Sequence, residues 1–136
     1  DRLVNDYIFY YEKHLRAGKV GIPAGVFSGD ILPQNVEAFH RQDVSKELLL
    51  ISLDAAQDFF NGVAHDGSST GPSLASYLNE LETSKNGQPL ADVINAQFDD
   101  ARSTNEGLGD NFADIVNRKV AQLRWLLFAF SLVCSC

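Results

Sequence analysis

The most distinctive part of the sequence is residues 12–29, which read EKHLRAGKVGIPAGVFSG. It begins with the pattern of a helix and becomes a glycine-rich loop around Pro23. Its glycines are Gly18, Gly21, Gly25 and Gly29. Glycine is the usual residue where the backbone takes a positive φ or approaches another group closely. We therefore predict a helix that ends within this stretch and a structured loop that follows it.

Basic side chains and a histidine crowd the predicted helix end, where positive charge suits the negative pole of the helix dipole. Functional residues often lie on loops that a rigid scaffold holds in place. Two interpretations remain open: a capped helix with a structured loop, or a loop that lines a binding cleft. The candidate cleft-lining, ligand-binding residues are Lys13, His14, Arg16, Lys19, Gly21 and Pro23.

Composition predicts one globular domain over residues 1–136. Hydrophobic residues make up 45% of the chain, which is too many for a disordered protein. The charges sum to 11 − 18 = −7, which argues against non-specific nucleic-acid binding because such binding depends on basic clusters. The chain has no methionine, so we expect that Asp1 follows a removed leader or is an internal boundary. Cys134 and Cys136 are too close for a relaxed disulfide and are predicted to be free thiols.

Hydrophobic periodicity predicts the first helix over residues 3–17, with Gly18 as its C-terminal cap. Glu12 and Arg16 are spaced to pair on its surface. His14 lies one turn from Tyr10 and Tyr11, which favours a packed, hydrogen-bonded histidine over a ligand.

A loop should follow over residues 20–34, and then a short helix from Pro33 to near Val44. Ser45 is the predicted N-cap of a long central helix over residues 46–60, which is apolar around much of its circumference.

The second half of the chain continues the helical pattern after a glycine- and serine-rich loop at residues 61–72. Ser73 should begin a helix, Asn86-Gly87 marks a turn, and a further helix opens near Pro89. That helix carries Leu90, Val93, Ile94, Gln97, Phe98 and Ala101, and Asp110 should cap the next segment. The tail at residues 120–136 is apolar without interruption only over residues 125–130, which is too short to span a bilayer, and the tail is expected to be a buried helix. The predicted fold is all-α: an antiparallel bundle of four to six helices with two long glycine-rich loops.

Three short motifs invite a catalytic or metal-binding interpretation, and none is convincing. Glu37-x-x-His40 has the spacing of carboxylate-bridged metal bundles but lacks its second copy. His40 and Asp43 are two polar groups on one face and cannot hold a metal alone. His65-Asp66 precedes two serines in a loop, yet neighbours in sequence do not make a catalytic triad.

Five ordered stretches resemble the second half of imelysin-like proteins, and together they cover roughly residues 4–117. They are YEKHLRAGKVGIPAGVFSG at 11–29, SKELLL at 45–50, QDFFNG at 57–62, TGPSLASYL at 70–78 and INAQF at 94–98. The resemblance implies an all-helical domain of an exported bacterial protein, located in the periplasm or at the outer membrane and linked to iron uptake. It also implies a partner domain, the first half, which this chain does not contain.

The family is classed as a candidate metallopeptidase because of a Gly-x-His-x-x-Glu motif in that first half, and iron or zinc is therefore a possible cofactor of the whole protein. Residues 38–43 read AFHRQD and are only loosely similar to that motif, so its role is not transferred to them. The resemblance implies a binding role, with residues 13–25 forming one wall of a cleft between the halves. A metal-dependent peptidase shared between two domains and a helical protein-interaction module are the alternatives. The uncharged tail after Trp125 departs from the amphipathic helix expected there.

Overall fold

The protein is mostly helical, and its structure, a computed structural model, describes residues 2–41 and 43–118. The predicted helical class is therefore confirmed. In chain order the elements are α1 (Arg2–Phe9), a π-helix (Tyr10–Gly21), a 3-10 helix (Pro33–Asn35), α2 (Ser45–Asn61), α3 (Leu74–Glu80), β1 (Ser84–Lys85), β2 (Gln88–Pro89), α4 (Leu90–Glu106) and α5 (Phe112–Arg118).

The first helix is longer than predicted, because α1 continues without a break into the π-helix. Gly18 is therefore an interior residue and not the C-terminal cap, and the predicted loop begins only after Gly21. The wider π turn explains the difference: Ile22 N–H donates to the carbonyl of Ala17 at 2.8 Å, five residues back. The buried side chains of this helix are those of Tyr11, Leu15, Ala17 and Val20.

The predicted helix from Pro33 to Val44 is wrong beyond its first turn. The backbone is helical only over Pro33–Asn35, and Val36 is already extended, with φ −63° and ψ 133°. Ala38 has a positive φ of 54°, which a right-handed helix excludes. The segment instead wraps against α5 and buries the side chain of Val36 in the core.

α2 is the central helix, as predicted, since it packs against the π-helix, α3 and α4. Its inward side chains Leu49, Leu53 and Ala56 are buried. Ser45 is its first helical residue, and Val44 occupies the N-cap position predicted for Ser45. The hydroxyl of Ser45 instead donates to the carbonyl of Glu37 at 3.0 Å. Only one side of α2 is buried, and Ile51 on the other is 55% exposed.

α3 and α4 are connected by a small β-hairpin, which the predicted all-α fold did not include. Ser84 pairs with Pro89 and Lys85 with Gln88, around the predicted turn at Asn86-Gly87, where both residues have positive φ. Ser73 caps α3 as predicted, because its hydroxyl accepts from Ser76 N–H at 3.0 Å.

α5 begins one residue later than the sequence suggested. Asn111 Oδ1 accepts from Asp114 N–H at 3.2 Å, and so Asn111 takes the capping role predicted for Asp110. Asp110 instead pairs with Lys46 of α2 at 2.7 Å. The predicted tail helix, with its two cysteines, lies outside the described residues. Among the helices that the structure describes, none has the length and apolar character needed to cross a membrane.

Candidate functional site

The predicted cleft residues occupy the π-helix and the turn after it, in three different environments. Lys13 and His14 are exposed, and the ring of His14 meets the edge of Phe9 at a centroid distance of 5.5 Å rather than being packed inside. Gly21 and Pro23 are buried beneath the turn.

The other two members of the predicted cleft set, both basic, already have acidic partners. Arg16 donates from Nε to Glu12 Oε2 at 2.8 Å, which confirms the predicted surface pair, and Lys19 pairs with Glu37. Whether the six residues bind a ligand together remains a prediction.

Each histidine-containing motif has its own local contacts. His40 is exposed beside Phe39. The hydrogen bond from Arg41 lowers the pKa of Asp43 below its ordinary value. Asp66 accepts from the backbone and hydroxyl of Ser68 at 3.0 and 2.6 Å, bonds that close its turn and lower its pKa. Within residues 2–41 and 43–118, no group of three potential ligands is arranged to hold a metal ion.

A cavity of about 300 Å³ lies between α1, α3 and α4. Its apolar walls include Val4 and Ile8 of α1, Leu74 and Leu78 of α3, and Val93 and Ile94 of α4. The buried side chains of Tyr11, Phe60 and Phe98 also line it. Because Ile8 and Tyr77 remain 46% and 56% exposed, the cavity opens to the surface.

Tyr7 holds the α1 side of the cavity against α2. Its hydroxyl donates to the carbonyl of Ala56 at 3.0 Å, and its ring stacks on Phe59 at a centroid distance of 5.4 Å. Burial of the phenol raises the pKa of Tyr7 above its ordinary value, because the charged form loses hydration. The polar end of this side chain is therefore neutral and already bonded.

Few other polar groups line the cavity. The carboxylate of Glu12 is paired with Arg16, and Lys85 comes from the hairpin. Gln97 of α4 stands among Val93, Ile94 and Phe98, and its Oε1 is buried without a hydrogen-bond partner among the described residues. Gln97 is thus the one polar side chain of α4 in the cavity wall.

A set of polar side chains fixes the α2–α4 contact beside the cavity. Asn61 and Asn95 exchange two amide hydrogen bonds, at 2.8 and 3.0 Å. Gln57 Nε2 donates to Asn95 and Asp99, at 3.2 and 3.1 Å. Arg102 then joins Asp99 to Asp54 of α2. These directional bonds set how far α4 lies along α2, and so they position the residues that line the cavity.

Sequence reasoning placed the candidate site at the glycine loop and missed the cavity. Its components are nevertheless present in the sequence: an apolar row through Val4 and Ile8, and a single glutamine, Gln97, in the row with Val93, Ile94 and Phe98. Neither component says that the two rows face each other across a gap, since that depends on tertiary packing.

Comparison of the chain with protein-family models, with curated proteins and with solved structures finds no match.

Proposed function

We propose that this domain binds a small, largely apolar molecule in the cavity between α1, α3 and α4. The observation that carries the proposal is the cavity itself, with a volume of about 300 Å³ and aliphatic and aromatic walls. Small-molecule sites are concave, mostly apolar and begin at about this volume, with a few polar groups that fix orientation.

The size of the cavity limits the molecule. An engineered, dry apolar cavity of about 150 Å³ binds benzene. A cavity of about 300 Å³ therefore suits a molecule of roughly two fused rings, or an aliphatic chain of similar bulk. Since Tyr7 is bonded to Ala56 and Glu12 is paired with Arg16, the surface offered to such a molecule is apolar over most of its area.

Naphthalene is a suitable first probe, because it has two fused rings and no polar atom. We expect calorimetry to detect its binding to the native chain. Val93→Trp places an indole in the cavity and should abolish the binding. Ile51→Trp is the matched control, since Ile51 lies on the exposed side of α2 and does not line the cavity. If naphthalene fails to bind the native chain, or if both variants bind it as the native chain does, the proposal is wrong.

We also propose that the domain is the C-terminal half of an imelysin-like exported protein linked to iron uptake, with the helices arranged as an antiparallel bundle. The order of the matching stretches supports this. Two of the matching stretches, residues 57–62 and 70–78, are also in contact in the structure. The N–H of Gly71 donates to the carbonyl of Gly62 at 2.8 Å.

The exposed apolar face of α1 supports a partner domain. No residue of α1 is buried, and Leu3, Ile8 and Phe9 are about half exposed or more. Apolar faces of this kind mark protein contacts. A first domain that covers α1 and supplies metal ligands would complete the binding role.

Sequencing the source gene across both ends of the chain tests this second proposal. We expect an in-frame upstream half with a Gly-x-His-x-x-Glu motif, and calorimetry with iron and with zinc on that complete protein should then show binding. A stop codon directly upstream would end the two-domain proposal and leave the cavity proposal untouched.

A further inference from the structure

Gln97 is a polar residue in an otherwise apolar part of the cavity wall. Its neighbours there, Val93, Ile94 and Phe98, are apolar, and its own Oε1 is buried with no hydrogen-bond partner among the described residues. Buried polar atoms are almost always paired, because a carbonyl oxygen that gives up water without a replacement donor is unfavourable. Leucine or methionine would fill the same wall without that cost.

An unpaired amide beside an open cavity can be satisfied by whatever occupies the cavity. In the structure Oε1 is itself buried and is not presented to the open cavity. The last side-chain torsion of glutamine is broad and roughly two-fold, so a turn of the carboxamide can present Oε1 to an occupant.

We propose that the cavity ligand is a neutral, largely apolar molecule with one hydrogen-bond donor, an N–H or O–H, which pairs with Gln97 Oε1. This inference rests on the proposed ligand-binding function and adds the chemical class of the ligand. A cationic donor fits less well, because Glu12, the acidic residue among the described residues of the wall, is already paired with Arg16. A charge without a partner is disfavoured against apolar walls.

Indole and benzofuran form a matched pair of probes, since they have the same bicyclic shape and differ by one N–H donor. Their dissociation constants, measured by calorimetry, give a preference ratio for each variant of the chain. The ratio cancels changes in cavity shape that affect both probes equally. The expected result is that Gln97→Leu lowers the preference for indole by about three- to tenfold, the range of one neutral hydrogen bond.

Two further variants distinguish the loss of the hydrogen bond to the ligand from a change in the packing of the cavity wall. Gln97→Met keeps the length and flexibility of the side chain and should lower the indole preference as Gln97→Leu does. Gln34→Leu makes the same chemical change at an exposed position outside the cavity and should leave the ratio unchanged. An unchanged ratio in both Gln97 variants, with both probes still bound, overturns the donor requirement and leaves the cavity function standing. Failure of indole, benzofuran and naphthalene alike to bind the native chain overturns the cavity function, and this inference with it.

Discussion

The hydroxyl of Tyr7 donates a hydrogen bond to the carbonyl oxygen of Ala56, 3.0 Å away and 49 residues later in the chain. It joins α1, which buries no residue, to the middle of the central helix α2. Because α1 buries no residue of its own, contacts of this kind hold it against the rest of the domain. The position of α1 in turn determines the width of the cavity.

Tyr7→Phe tests how much this bond contributes. The variant keeps the ring on Phe59 and removes only the hydroxyl, so we expect the free energy of unfolding to fall by about 1 kcal/mol, as for a typical buried hydrogen bond. Urea denaturation measures the loss. Tyr77→Phe is the control. Because Tyr77 is 56% exposed, removing its hydroxyl should have little effect on the free energy of unfolding. Equal losses in the two variants would contradict the role given to the Tyr7 bond.

The pH dependence of stability follows from the same phenol. Burial raises the pKa of Tyr7 above its ordinary value of 10.0, so the folded chain keeps this proton at pH values where the unfolded chain releases it. The contribution of Tyr7 is therefore complete below pH 10 and is lost as the pH rises above it. Urea denaturation between about pH 8 and about pH 11 should show a steeper alkaline loss for the native chain than for Tyr7→Phe. Parallel curves would show that Tyr7 does not titrate differently in the folded state.

Gly62 and Gly67 provide a matched pair of left-handed positions, with φ values of 70° and 69°. A Cβ at Gly62 would lie 2.6 Å from the carbonyl oxygen of Gly71, whereas a Cβ at Gly67 would have no atom of the described residues within 4 Å. Both alanine variants should lose about 1–2 kcal/mol for the left-handed backbone. Gly62→Ala should lose about 1–3 kcal/mol more, because the backbone must move to relieve the overlap. Similar losses in the two variants, measured by urea denaturation, would mean that the contact with Gly71 is relieved at no cost.

The elements that local chemistry specifies were predictable from sequence. Ser73 caps α3, Asn86-Gly87 forms a turn, and α4 begins near Pro89, because each depends on residues within a few positions. The π-helix was not predictable, since periodicity rules assume α-helical spacing. In an α-helix Gly18 would be a natural end, but the π-helix continues past it and places Val20 in the core.

The cavity was not predictable from the sequence either, because it depends on tertiary structure. The inward row of α4, with Gln97 in it, is visible in the sequence as a helical pattern. The gap between that row and α1 arises from how the helices pack in the folded domain, which no local pattern encodes. The binding site was predicted at the glycine loop because glycine and basic residues cluster there. In the structure, however, the charges of Arg16 and Lys19 are already paired with acidic side chains.

Arg102 provides a test of the polar contact between α2 and α4. Its guanidinium bonds to Asp54 at 2.8 Å, Asp99 at 3.0 Å and Gln57 at 2.5 Å, and its side chain is only 28% exposed. Arg102→Met retains much of the aliphatic stem but leaves two carboxylates near each other without their cation. We expect a loss of about 1–2 kcal/mol in the free energy of unfolding, since hydrogen bonds to charged groups exceed neutral ones but partial exposure reduces their value.

Arg118→Met is the control for Arg102→Met. Arg118 is 77% exposed and lies 3.4 Å from Asp114 within the same helix, so the loss should stay below about 0.5 kcal/mol. Naphthalene binding gives a second measurement that stability alone does not. If the α2–α4 bonds hold α4 in register beside the cavity, Arg102→Met should weaken naphthalene binding although Arg102 does not line the cavity, while Arg118→Met should not. Unchanged binding in a destabilised Arg102→Met chain would show that the cavity keeps its shape without this contact.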